Sequence, residues 1–120
     1  MTAAGMGWPP QIGEPLPRAK ECWYEPAKLT RWILGEEGHG AEWERVLHVG
    51  IEDAEEIWEA IATLAATATV TGLRDLGRFG LSCEVDAQLT IGERSATFRT
   101  IWHYAAPDAA TVPVSAFPGL

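Results

Sequence analysis

Between Phe79 and Ile91 apolar and polar residues alternate without a break. Phe79, Leu81, Cys83, Val85, Ala87, Leu89 and Ile91 have one parity, and Gly80, Ser82, Glu84, Asp86, Gln88 and Thr90 the other. A strand sends successive side chains to opposite faces, so this run predicts a sheet with one buried and one wet face. Gly92-Glu93 reads as the turn that follows. After it, Ala96, Phe98, Thr100, Trp102 and Tyr104 alternate with Ser95, Thr97, Arg99, Ile101 and His103. Pro107-Asp108 marks another turn. A last strand over 111–117 carries Pro113 and is expected at an edge. The β-branched stretch 69–73 supplies a first strand.

Upstream of residue 68 the period is 3.6. Pro26 fits a first helical position and Gly35 a closing one, with Leu29, Trp32 and Ile33 on one face. A short second helix is expected from Ala41 to His48, with Trp43, Val46 and Leu47 on one side and Gly50 ending it. In a longer third helix Ala54, Ile57, Ile61, Leu64, Ala65 and Ala68 form an apolar stripe. Asp53 with Glu56 has capping-box spacing. Glu52, Glu55, Glu56 and Glu59 crowd the first turns, where the helix dipole favours anions. Helices first and strands afterwards define an α+β fold: two to three helices packed on one face of a four-stranded antiparallel meander. Residues 1–21, rich in Gly and Pro, read as an extended arm tied down through Trp8, Ile12 and Leu16, and residues 22–120 as the single domain.

The 120 residues carry nine basic and seventeen acidic side chains, a net charge of −8. Residues 1–60 hold five Lys/Arg against twelve Asp/Glu, and residues 61–120 four against five. The acidity therefore belongs to the helical half. It argues against a broad basic face for nucleic acid and reads first as a solvated surface, second as a docking face for a basic partner. Cys22 and Cys83 sit in no metal-type spacing. Cys83 reads as a buried free thiol, and a Cys22–Cys83 disulfide is the less favoured alternative. His39 and His48 lack the further ligands a zinc site needs, so no metal or other cofactor is expected. The start of the chain shows no basic-then-apolar leader, and no run is long enough to span a membrane, so a cytoplasmic location is expected.

Chemistry is expected on the wet face of the sheet, where Thr97, Arg99 and His103 share parity. An exposed arginine can hold phosphate through two parallel hydrogen bonds, and a histidine can exchange a proton near neutral pH. Glu84 and Asp86 share that face, and a cross-strand ion pair with Arg99 is the plainer reading of the same residues.

Four segments occur in order: Ala27 to Leu34, Gly80 to Leu89, Arg99-Thr100-Ile101-Trp102, and Val114-Ser115-Ala116-Phe117-Pro118. Together they resemble a small bacterial domain family of unknown function, with a Lys-Leu helix, a Thr-x-Trp strand and a closing Thr-Ala-Tyr-Pro. That family occurs alone and at the ends of polymorphic toxins and phage-associated proteins. Its layout is similar to the barnase, EndoU, colicin and RelE ribonucleases. The resemblance implies a metal-independent, toxin-type endoribonuclease in which RNA lies across the open sheet face and a 2′-hydroxyl attacks the adjacent phosphate. Lys28, Arg99, Thr100, Trp102 and Ser115 match its positions; joined to Thr97 and His103 of the wet face, they put Arg99, Thr97 and Thr100 on substrate, His103 as acid or base, and Lys28 or Ser115 in support. RNA, an immunity protein or a host protein would be the partner. The chain departs from the family at Phe117, where a tyrosine is usual, and at Ala41-Glu42-Trp43, where a lysine is. The alternative is a non-catalytic protein-interaction module of the same fold that uses its acidic helical half. The catalytic reading is placed slightly ahead.

Overall fold

The computed structural model describes residues 8–22, 25–34 and 40–118; Gly35, His39 and the side chain of Trp32 lie outside the described set. Three helices, α1 (Pro26–Leu34), α2 (Gly40–Leu47) and α3 (Ala54–Thr67), precede four strands, β1 (Gly72–Asp75), β2 (Leu81–Ile91), β3 (Arg94–Tyr104) and β4 (Val112–Pro118). The strands pair antiparallel in the order β1-β2-β3-β4, so the fold is the α+β meander that the switch from period 3.6 to period 2 predicts. Among the described residues no helix is long and apolar enough to cross a membrane.

The helices cover one face of the sheet. Trp43, Ile57, Ile61, Val85, Leu89, Phe98 and Trp102 are fully buried between the layers. Trp43 lies against Phe98 with ring centroids 4.6 Å apart, and its indole N–H donates to Ala116 O at 2.9 Å. That bond ties α2 to β4. Cys83 is buried and Cys22 half-buried, and both are free thiols.

Burial pushes both thiols up to about 11, so little thiolate forms at neutral pH. Both should therefore react with a disulfide reagent at pH 8 far more slowly in the native protein than after unfolding. The folded state holds these protons more tightly than an unfolded chain, whose thiols titrate near ~8.5. Their contribution to stability is complete below that value and falls as pH rises toward about 11. Native-state reaction at the unfolded rate would show that the Cys83 environment opens readily.

Several boundaries differ from the sequence expectation for local reasons. Phe79 is 65% exposed and outside β2. It ends a 3-10 turn, Gly77–Phe79, that carries the chain from β1 to β2, and Gly80 at φ +102° follows it. β1 begins at Gly72 because Thr69 instead bridges to Pro15 of the N-terminal segment. Asp53 does not cap α3 with its side chain; Oδ2 accepts from the Gly50 N–H at 2.9 Å and closes a 3-10 turn, Ile51–Asp53. α2 ends at Leu47, and His48 rather than Gly50 takes the left-handed conformation after it, at φ +57°.

Of the proposed arm contacts, Leu16 is buried and Trp8 meets Tyr104 edge-on at 5.2 Å, whereas Ile12 is exposed. Backbone bonds Gly13 N to Val70 O and Val70 N to Glu14 O, both 2.8 Å, fasten this segment. The Tyr104 hydroxyl donates to Pro17 O.

Candidate functional site

The face of the sheet turned away from the helices is built from rows of register partners. Ser82, His103 and Val112 form one row, Glu84, Ile101 and Ser115 the next, and Asp86, Arg99 and Phe117 the third; Gln88 and Thr97 extend it. Thr97, Arg99, His103 and Ser115 thus share a face. A register shift between Ile101 and Trp102 sets how β4 meets β3 beside Ser115.

Arg99 is engaged by carboxylates. Its Nε donates to Asp86 Oδ1 at 2.9 Å and its Nη2 to Asp86 Oδ2 at 3.0 Å. Glu84 Oε2 stands 3.4 Å from the same Nε. The Asp86 hydrogen bonds, supported by the charges of Asp86 and Glu84 and opposed by desolvation, hold the guanidinium above its ordinary pKa. One cation against two carboxylates leaves the centre of the face locally negative. A phosphate arriving there would have to displace a bidentate partner already in place.

His103 lies four residues along β3 from Arg99, roughly 13 Å away at strand spacing. Its Nε2 is 2.7 Å from Phe79 O. A carbonyl only accepts, so Nε2 carries the hydrogen and Nδ1 is the acceptor in the neutral ring. The exposed turn that displaces Phe79 from β2 thus also fixes the histidine tautomer.

The other candidates are dispersed. Thr97 is exposed on the outer face near Arg99. Thr100 is fully buried on the opposite, core face, where its hydroxyl donates to Val85 O at 2.9 Å and accepts from the Trp102 indole at 2.8 Å. Parity forbids it the wet face, so here it is an internal hydrogen-bond link with no access to a ligand on that face. Lys28 belongs to α1, in the layer across the sheet from Arg99; its side chain is 69% exposed and its Nζ is 3.7 Å from Glu25 Oε2. The structure brings Arg99, Thr97, His103 and Ser115 to one surface and leaves Thr100 and Lys28 off it.

Two concavities lie beside β2. One, of about 520 Å³, is bordered by Trp8, Leu73, Leu81, Tyr104 and Pro107, with Asp75 at its edge accepting from the Gly77 N–H at 2.8 Å. The other, of about 330 Å³, runs between α3 and β2 and is edged by Glu56, Glu59, Thr63 and Gln88. The sequence places Glu56 and Glu59 on a solvated helix face; their position beside β2 follows only from the packing. Among the described residues no group of three or more His, Cys, Asp or Glu side chains is arranged to hold a metal ion. No family model matches the chain, and no curated protein or solved structure is significantly similar to it.

Proposed function

We propose that this chain is a non-catalytic protein-interaction domain. The observation that supports the reading is the engagement of Arg99 by Asp86 and Glu84. The cation that would receive a phosphate on the open face already serves as a cross-strand tie, in a surrounding of net negative charge. The net charge of −8 works in the same direction, since it disfavours polyanions and favours basic partners.

The ribonuclease-like, toxin-type reading keeps one supporting observation. His103 presents a ring nitrogen on the same face as Ser115, and a histidine at such a place can move a proton. Its other requirements are not met together on that face, because Lys28 lies across the sheet and Thr100 is buried.

Incubating the pure protein with total RNA in EDTA separates the two. The expected result is no discrete cleavage by the wild type, His103→Ala or Arg99→Ala. Arg99→Ala should lower the thermal midpoint, because it leaves Asp86 and Glu84 facing each other without their cation. Arg99→Lys, which keeps a point charge and loses the fork geometry, should fall between the two. Discrete fragments made by the wild type and lost in His103→Ala would replace the interaction reading with the catalytic one.

A further inference from the structure

β1 is too short to cover β2. Its ladder runs from Asp75↔Leu81 to Gly72↔Glu84 and stops. Thr71 makes the last contacts: its N–H donates to Glu84 O at 2.8 Å, and its hydroxyl accepts from the Asp86 N–H at 2.9 Å. The chain then leaves the sheet, as Thr69 pairs with Pro15.

Along β2 the even-numbered residues direct their backbone groups toward β1, as the bonds at Glu84 and Asp86 show. The odd-numbered ones pair with β3, in keeping with Ile91↔Arg94 closing the two-residue hairpin. Gln88 and Thr90 therefore present N–H and C=O groups to an open edge, and on that side no backbone partner meets them among the described residues.

That edge is one wall of the groove of about 330 Å³, and α3 is the other, bringing Glu56, Glu59, Thr63 and Thr67 to it. Glu56 and Glu59 are exposed, and neither is in an ion pair among the described residues. Leu64 and Ile91 give the groove an apolar floor.

We infer that the open edge of β2 at Gln88–Thr90 takes up an extended, basic segment of a partner protein as an added strand, with its cations toward Glu56 and Glu59 of α3. The inference rests on the interaction reading and names its surface and the chemistry of the partner. An unpaired strand edge is matched by a peptide backbone. The exposed carboxylates of Glu56 and Glu59 beside it select lysine or arginine and reject phosphate. They also disfavour a second copy of this chain, since edge-to-edge pairing would bring the same glutamates of two acidic molecules together.

The probe is a ten-residue peptide of alternating lysine and threonine, blocked at both ends, which in a strand sets every lysine on one face. Controls are its glutamate–threonine counterpart and the same lysine peptide N-methylated at every second residue, which keeps the charge but loses strand hydrogen bonds. Binding is read by fluorescence anisotropy, and its place by amide chemical shifts and hydrogen exchange.

The lysine peptide should bind, shift the Gln88 and Thr90 amides and slow their exchange, while the glutamate peptide does not. The double variant Glu56→Gln/Glu59→Gln should weaken binding roughly five- to tenfold. Glu44→Gln/Glu55→Gln, also exposed but outside the groove, should leave it within about twofold. N-methylation should weaken it further than the Glu56/Glu59 change does.

If the N-methylated peptide binds as tightly, with shifts scattered over α2 and α3, strand addition is overturned while the interaction reading stands. Self-association through the Gln88–Thr90 edge in sedimentation would overturn the choice of occupant. Failure of the lysine peptide to bind at low salt overturns the inference, and only RNA cleavage in the separate EDTA assay would take the interaction reading with it.

Discussion

Trp43→Ala should remove about 3–5 kcal/mol of stability through lost burial and the cavity left behind. The loss should be deepened because Ala116 O then lacks its indole donor. Trp43 is fully buried, rests on Phe98 and bonds to β4, so one side chain fastens α2 to two strands. For a domain whose whole stability is typically ~5–15 kcal/mol, such a loss should move the urea midpoint far down. Trp43→Phe separates the two contributions, since it keeps an aromatic ring against Phe98 and gives up only the donor and part of the volume. It should fall between the wild type and alanine. A midpoint unchanged in Trp43→Ala would mean that α2 is not docked on β4 as described.

The two-faced sheet was legible because β2 alternates without a break and β3 departs from the pattern only at Arg94, Thr100 and Ile101. Cys83, Val85, Leu89, Phe98 and Trp102 are buried, while Glu84, Asp86, Thr97, Arg99 and His103 have some access to solvent. The Arg99–Asp86 pairing was also within reach of the sequence. Gly92-Glu93 is a two-residue turn, so Ile91 faces Arg94, and counting back along the hairpin sets Asp86 opposite Arg99. Glu84 comes in as the diagonal neighbour on the same face. Thr100 shows the converse. Parity alone puts it in the core, and only the family resemblance carried it to a substrate, so the local rule and the resemblance disagreed at that residue.

What was not legible depends on backbone turns and on where one strand stops. Phe79 continues the apolar alternation perfectly, yet Gly80 takes a φ of +102° and breaks the strand ahead of Leu81. Alternation is blind to such a change of direction. Asp53 has the spacing of a cap but spends its carboxylate on Gly50, because a 3-10 turn precedes α3 and offers a nearer N–H. The open edge at Gln88–Thr90 exists because β1 spans only Gly72–Asp75 while β2 spans Leu81–Ile91. Placing the first strand at 69–73 from β-propensity could not show that mismatch, since the bridge of Thr69 to Pro15 is a contact between segments far apart in sequence.

Gly80→Ala should destabilise the protein by roughly 2–6 kcal/mol, from backbone strain and a steric clash together. At φ +102° and ψ −146° a side chain is strained before any neighbour is considered. A Cβ built there would sit 1.9 Å from Tyr104 O and 3.0 Å from Ala105 Cα. Both are backbone atoms at the end of β3, so no rotamer change can relieve the contact. Gly77→Ala is the internal comparison. Gly77 also has positive φ, at +63°, but nothing lies within 4 Å of its added Cβ. It should lose only about 1–2 kcal/mol, the penalty of the left-handed region for a residue with a Cβ. The difference between the two variants in urea unfolding isolates the clash with Tyr104. The same turn holds Phe79 O against His103, so Gly80→Ala should also release that histidine and move its ring resonances. If Gly80→Ala and Gly77→Ala unfold at the same urea concentration, the approach of the Leu76–Gly80 turn to the end of β3 is not as close as described.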